Sequence, residues 1–274
     1  MNINWSRMNT YQRCPRRYFW KYVQNLEKTK MAYPLILGRA VHEGLAAHYA
    51  SKPVKPEIDA IFEEELAKPL LGAEKEELKK LQDYAQFIIM KYITVYASEP
   101  WTMLAPEVEG NCPLGRHKLF FRLDGAVTMK GNPWLLEHKT TIMIGNTYFK
   151  QYTLDGQITT YMYALEKILS IQPVGVIINV IRKTRNMQGV EFQRDAILRP
   201  PGFISSFMDG ITWQADQIEE RTSECFDLKD EWPMYTHDCL AFFRTCDYME
   251  LCRNDSVAMR KQFSERPKDY ADED

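Results

Sequence analysis

Apolar positions along this chain follow two rhythms. From Ser6 to Asn25 they recur at helical spacing, with Ser6 the candidate N-cap. Gly38 to Tyr49 keeps that period, and Pro56 to Leu66 and Ala73 to Ala97 carry it into two longer helices. The period then shortens: about Thr102 to Glu109, His117 to Met129 and Trp134 to Thr140 are rich in β-branched and aromatic residues and read as strands. Leu154 to Leu169 returns to helix, and Pro173 to Arg182 is a short apolar run suited to a buried strand. Val190 to Leu198 adds another strand, and Phe203 to Thr222 is helical. This order predicts a mixed α/β fold with helices packed on a central sheet. No internal repeat or low-complexity linker interrupts it. Residues 1–263 are therefore expected to form a single domain with a helical insertion at about 51–100, and residues 264–274 an acidic, mobile tail.

The second and third strands are separated by Lys130-Gly131-Asn132-Pro133, a strong turn signal. With Gly131-Asn132 as a two-residue loop, a type II′ turn is expected, which sets Asp124 opposite Lys139. Glu137 lies on the same face, because side chains two apart on a strand share a side. Two carboxylates and a lysine gathered on one sheet surface are costly to bury unless they reach solvent or share a cation. A hard divalent ion, Mg²⁺ or Mn²⁺, suits two carboxylates better than zinc does. Such a group points to phosphodiester hydrolysis, although an Asp, Glu and Lys spaced this way also occur as a surface ion-pair cluster.

Composition adds boundaries. With 274 residues, 45% hydrophobic and 26% charged, the chain can bury a full core. It has no apolar run of membrane-span length, and its opening residues lack a basic region followed by an apolar stretch, so a cytoplasmic protein is expected. A net charge of −2 means that any nucleic-acid contact must come from local clustering. Such clustering exists in residues 1–30, where Arg7, Arg13, Arg16, Arg17, Lys21, Lys28 and Lys30 face a single acid, Glu27, and alternate with aromatic residues. A second cluster is Arg182-Lys183-Thr184-Arg185. Either could steer a polyanion, or be a solvated face with snorkelling stems.

Six cysteines in a chain without a secretion signal do not suggest disulfides. Cys239, Cys246 and Cys252 fall close together, and Cys14 sits in the basic N-terminal segment. Four thiolates can hold a [4Fe-4S] cluster or a structural zinc, and the pairing with Cys14 would tie 6–25 to 236–255. Buried thiols without metal are the plain alternative.

Four segments together resemble a known family. Ser6-x(4)-Tyr11-x(2)-Cys14-Pro15-Arg16-Arg17-Tyr18 resembles an N-terminal cysteine segment, and Gly38-Arg39-Ala40-Val41-His42 a G-x-x-x-H motif. Leu123-Asp124-Gly125 with Leu136-Glu137-His138-Lys139 looks like the D and E-x-K elements, and Gln157-x(3)-Tyr161 like a Q-x(3)-Y motif. The chain thus resembles the RecB-like branch of the PD-(D/E)xK nuclease superfamily, in particular its iron-sulfur members, which include the CRISPR-associated RecB-like exonucleases and the AddB nuclease domain. The resemblance implies a restriction-endonuclease-like core with a central mixed sheet flanked by helices. It implies His42, Asp124, Glu137 and the main-chain carbonyl of His138 as metal ligands, and Lys139 as the group that activates water. Gln157 and Tyr161 would support the site or contact DNA; four residues apart on a helix, they share one face. Cys14, Cys239, Cys246 and Cys252 would hold the cluster. The family's terminal spacing is C-x(2)-C-x(5)-C, whereas here the first gap is six residues and Phe243 stands at the close pair's first position. Zinc therefore stays open as an alternative, with His237 as a substitute ligand.

The implied activity is metal-dependent hydrolysis of DNA, by an exonuclease acting on single strands or ends, with Arg13, Arg16, Arg17, Lys21, Arg182, Lys183 and Arg185 as DNA contacts. Recombination, CRISPR adaptation and phage genome processing are all compatible settings. A DNA-binding subunit that is catalytically silent or depends on a partner is the alternative, and a zinc-stapled protein without a nucleic-acid role is a third reading.

Overall fold

The computed structural model describes residues 1–28, 33–225, 228–241 and 244–267. Strand β1 (Asn2–Ile3) leads to helices α1 (Trp5–Arg13) and α2 (Pro15–Tyr18), a π-helical turn (Phe19–Val23) and strand β2 (Leu26–Lys28). Helices α3 (Tyr33–Tyr49), α4 (Val54–Leu66) and α5 (Gly72–Val95) precede strands β3 (Thr102–Leu114), β4 (His117–Met129) and β5 (Asn132–Thr141). A 3-10 turn (Tyr148–Tyr152) opens onto α6 (Gly156–Leu169), β6 (Gly175–Lys183), β7 (Val190–Leu198) and α7 (Pro201–Glu224). The short elements β8 (Leu240–Ala241), β9 (Arg244–Thr245), α8 (Met249–Arg253), α9 (Val257–Arg260) and β10 (Phe263–Glu265) follow. The fold is α/β, with a mixed sheet flanked by helices. Among the described residues, no helix is long and apolar enough to cross a membrane.

Two compact units divide the chain: a larger one of Met31–Glu109 and Arg122–Ile204, and a smaller one of Met1–Lys30, Gly110–Phe121 and Ser205–Asp274. In the larger unit β5 pairs antiparallel with β4 and parallel with β6, and β6 pairs antiparallel with β7. Nearly every side chain of β6 is buried, as an apolar run covered on both faces should be. Against this unit's sheet, α5 buries Leu78, Leu81, Ala85, Ile88, Ile89 and Tyr92, spaced three and four apart, with Ile58, Ile61 and Phe62 of α4 and Val41 and Leu45 of α3. Burying each such aliphatic side chain contributes roughly 1.5–3 kcal/mol. Gly44 allows the close approach, since a Cβ there would lie 2.9 Å from Ile89 Cγ1 and 3.1 Å from Ile58 Cδ1.

The hairpin between β4 and β5 departs from the expected register. Lys130 and Gly131 form the loop with φ of 52° and 78°, and Met129 pairs with Asn132 and Gly125 with Leu136. Two consecutive positive φ values mark a type I′ turn. A Gly131-Asn132 loop would instead require the N–H of Pro133 to close the turn, and proline has none. Continuing the observed register places Asp124 at the level of Glu137, not of Lys139. Because the shift is two residues, each side chain keeps its face.

In the smaller unit, the single N-terminal helix expected from Ser6 is broken. Cys14 is extended (φ −166°, ψ 112°) because a residue preceding proline is driven out of the helical region, and α2 restarts at Pro15. Asn4, not Ser6, caps α1, accepting from the Arg7 N–H at 2.9 Å. β1 lies parallel to the start of β4, with Asn2 beside Lys118. Trp232 is fully buried, stacked on Tyr18 at 5.8 Å, while α7 buries Met208, Ile211, Ala215 and Ile218 along one face. Ser264 and Glu265 of the expected mobile tail pair with Glu27 and Leu26. Residues 268–274, Lys30 and Phe243 lie outside the described residues.

Candidate active site

The larger unit holds all seven predicted active-site positions, His42, Asp124, Glu137, His138, Lys139, Gln157 and Tyr161. His42 extends from the middle of α3, and its Nδ1–H donates to Asp124 Oδ1 at 2.9 Å. Asp124 Oδ2 accepts the backbone N–H of His138 at 2.7 Å, which ties β4 to β5 across the carboxylate. Lys139 Nζ donates to Glu137 Oε1 at 2.6 Å and to Gln157 Oε1 at 2.7 Å, and Gln157 Nε2 donates to Tyr161 Oη at 3.1 Å. Gln157 is in place because Asp155 caps α6, its Oδ1 accepting the Ile158 N–H at 3.0 Å. Exposure grades across the site: the side chain of His42 is 34% exposed, Asp124 20%, Lys139 22% and Glu137 3%. Glu137 therefore forms the floor.

The charges are strongly perturbed. Burial alone would raise Asp124, but the charge and hydrogen bond of His42 and the His138 N–H outweigh it and hold the carboxyl well below the usual carboxylate range. Glu137 goes the other way: burial, with the charge of Asp124 added and Lys139 only partly offsetting, pushes it up to about 7. Burial would lower His42 and Lys139, yet neighbouring carboxylates raise both. Burial lowers His138 to about 3, keeping it neutral.

One atom stands out. Glu137 Oε2 is buried and has no hydrogen-bond partner among the described residues. An orphaned buried carboxylate oxygen beside a second carboxylate fits a divalent cation, which would satisfy both and displace the proton that Glu137 otherwise keeps. The ligand atoms of His42, Asp124 and Glu137 do not all lie within 4.8 Å of one another, so an ion shared by all three requires these side chains to draw together.

A buried polar network behind His138 was not anticipated from the sequence. Asn179 Nδ2 donates to His138 Nδ1 at 2.7 Å, and Arg194 donates to Asn179 Oδ1 at 3.0 Å and to both oxygens of Glu99 at 2.6 and 2.9 Å. Tyr49 stacks on the His138 ring at 5.8 Å and donates to Glu99 at 2.7 Å. The available signal was Asn179, a lone polar residue within the apolar run of β6.

The predicted DNA contacts are dispersed. In the smaller unit, Arg13 makes two hydrogen bonds to Asp238, each 2.9 Å, and Arg17 lies 3.8 Å from the same carboxylate. Arg16 is buried and donates to the Trp232 carbonyl at 2.8 Å, and Lys21 lies 3.5 Å from Glu27. In the larger unit, Arg182 pairs with Glu191 at 2.6 Å, Lys183 is buried with its ammonium on the Pro34 carbonyl at 3.3 Å, and Arg185 is exposed. Most of these charges are engaged inside their own unit.

The smaller unit holds Cys14, Cys239, Cys246 and Cys252. Cys14 Sγ accepts the Tyr235 N–H and Cys252 Sγ the Trp20 indole N–H, each at 3.4 Å, and Cys246 accepts from the Tyr248 backbone. Burial raises the pKa of Cys239, Cys246 and Cys252, and mutual proximity, including that of Cys14, adds to it. Among the described residues, no three of these sulfurs lie within 4.8 Å of one another. His117, Asp216 and Glu219 do meet that distance, but Arg116 already pairs with both acids at 2.7 and 3.1 Å.

A carboxylate pair short of one partner, beside a retained ammonium, is arranged for a divalent cation and an anionic substrate. The class of protein so defined is a metal-dependent nuclease. The chain belongs to the PD-(D/E)XK nuclease superfamily, whose sequence model matches residues 2–253. No curated protein matches the sequence. Among solved structures, a candidate exonuclease from Eubacterium rectale is similar in fold, with a TM-score of 0.54 at 13% identity, covering 99% of this chain and 92% of that one. The protein SSO0001 covers 73% of this chain and 84% of its own at 11% identity, but its TM-score of 0.29 is too low to carry an argument.

Proposed function

We propose that this protein is a Mg²⁺- or Mn²⁺-dependent deoxyribonuclease that degrades single-stranded DNA or DNA ends and carries a structural [4Fe-4S] cluster. The observation that carries the reading is the orphaned Glu137 Oε2, facing a cation position beside Asp124 and Lys139. Asp124, Glu137, His42 and the His138 carbonyl would hold the ion, which when bound supplies Lewis-acid polarisation of a phosphoryl oxygen and a more acidic water. Lys139, kept protonated by Glu137 and Asp124, holds positive charge where the scissile phosphate gains negative charge. Gln157 fixes the Lys139 ammonium from the far side and Tyr161 fixes Gln157, so the ammonium cannot swing away. Preference for ends agrees with the description of the Eubacterium rectale protein as a candidate exonuclease.

The cluster reading rests on the donor set of Cys14, Cys239, Cys246 and Cys252. Three N–H groups already point at sulfur, a common means of stabilising clustered thiolates. A zinc ion at about 2.3 Å from each sulfur would need all four sulfurs about 3.8 Å apart, whereas among the described residues no three of them lie within 4.8 Å of one another. The cluster would join α1–α2 to the segment around Cys239–Cys252 and supply folding free energy.

Both halves are tested on one anaerobic preparation. Iron near four atoms per chain, with broad visible absorbance, and Mn²⁺-dependent loss of end-labelled single-stranded DNA, while closed circular duplex and RNA persist, is the expected result. Equal digestion of RNA would remove the substrate assignment, DNA binding without cleavage under any cation would favour a partner-dependent subunit, and stoichiometric zinc would replace the cluster.

A further inference from the structure

We propose that Arg199, in the turn after β7, is a positioning residue for the Lys139–Gln157 pair; this rests on reading Asp124, Glu137 and Lys139 as the catalytic group. Arg199 is 2% exposed; the Asp155 carboxylate acts on it through space, but the bond between the two residues goes to the Asp155 main-chain carbonyl. A buried guanidinium without an ion-pair partner is costly unless its donors are used, and here both terminal nitrogens are used on one segment, while Nε has no partner among the described residues. One terminal nitrogen donates to the Asp155 carbonyl at 2.8 Å and Thr159 Oγ1 at 2.5 Å. The other donates to the carbonyls of Tyr152 at 2.5 Å and Thr153 at 2.6 Å. The backbone N–H of Arg199 is itself anchored to the Val174 carbonyl at 3.2 Å, beside the start of β6. Arg199 thus fastens the turn that feeds α6 to the edge of the sheet.

The consequence for chemistry is geometric. Gln157 is the second residue of α6, so the position of its side chain depends on where the helix begins, and Arg199 holds the three carbonyls just before that point. Without the guanidinium, the Thr153 carbonyl loses this donor, and those of Tyr152 and Asp155 keep donors only from within the same segment, Asp155 N–H and Thr159, so nothing from Arg199 ties the first turn to the sheet and it can move against β5. Gln157 Oε1 then moves off Lys139 Nζ, and the ammonium loses the partner that opposes its pairing with Glu137. A lysine at 199 does not replace this, because one ammonium cannot match a planar fork spread over four acceptors.

The test is a double-mutant cycle on single-turnover cleavage of labelled DNA, using Arg199→Met and Gln157→Ala below the unfolding temperature of every variant. Arg199→Met should lower the cleavage rate on the order of tenfold, leave DNA affinity within about twofold, and not be rescued by Arg199→Lys. In the Gln157→Ala background, Arg199→Met should add almost nothing, because the route it acts through is already gone. A merely structural role would reduce the folded fraction and give additive losses, and that result overturns the proposal. If Arg199→Met does not fold, Thr159→Val, which removes one acceptor, enters the same cycle with an expected loss of about threefold and the same non-additivity. Asp124→Ala separates the two levels. If it cleaves like the parent protein the catalytic reading fails; if it is inactive and the cycle is additive, only the role of Arg199 fails.

Discussion

Manganese binding to the Asp124–Glu137 site should release protons, in an amount set by the burial of Glu137. With its pKa near 7, Glu137 keeps its proton at a pH where an exposed carboxyl has lost it. It is then about nine-tenths protonated at pH 6 and about one-tenth at pH 8. A cation that takes Glu137 as a ligand must displace that proton, so apparent affinity should strengthen about tenfold between pH 6 and pH 8, with close to one proton released at pH 6 and about a tenth at pH 8. His42 is raised as well and must be neutral to act as a ligand, so tenfold is a floor. Isothermal titration of the metal-free protein with Mn²⁺, in two buffers of different ionisation enthalpy at each pH, reads both quantities. The corresponding effect on folding has a definite sign. The folded protein binds a proton that the unfolded chain has released between about pH 4.5 and 7, so this contribution to stability falls as the pH rises through that window. Proton release below about half at pH 6, or affinity unchanged between the two pH values, would refute the reasoning.

Three further outcomes follow from packing and charge. Arg194→Met strands Glu99 and the Asn179–His138 contact in the core, and should cost about 3–5 kcal/mol in urea unfolding, with a smaller loss when Glu99→Gln accompanies it. Gly44→Ala forces a Cβ against Ile89 and Ile58 and should destabilise by about 1–3 kcal/mol in the same assay; an unchanged midpoint would mean the helices can spread. Cys252→Ser should strip iron from the anaerobic preparation, and Trp20→Phe, which removes only the N–H donor to Cys252, should retain iron but shift the reduction potential.

Much of the fold was legible because its signals are local. The ends of β4 and β7 agree with alternation, since β4 alternates a buried face with a more exposed one and β7, as far as Asp195, a half-buried face with an exposed one. Proline accounts for the two principal departures. Pro15 breaks the N-terminal helix at Cys14, and Pro133 forbids the expected loop, moving Asp124 from the level of Lys139 to that of Glu137. β3 runs on to Leu114 through Pro106, Gly110 and Pro113, which read as a strand end but are tolerated in a strand that, among the described residues, pairs only with β4. The seven candidate active-site positions stand out in the sequence because they form spaced motifs. Asn179 and Arg194 were hidden because their partners come from distant elements, and Arg199 because most of its acceptors are main-chain carbonyls, which leave no trace in residue identity. Basic residues misled most easily, since charge in sequence does not distinguish a free cation from one already paired, as Arg13 is with Asp238.

Single-turnover degradation of end-labelled single-stranded DNA by the parent protein and by Asp124→Ala, both with Mn²⁺ and both confirmed folded by circular dichroism, tests the catalytic site most directly. The expected result is cleavage by the parent protein and loss of at least about a thousandfold in Asp124→Ala, since removing the carboxylate that joins His42 to the His138 backbone dismantles the cation position. Cleavage by Asp124→Ala at the parent rate would contradict it and place the chemistry elsewhere.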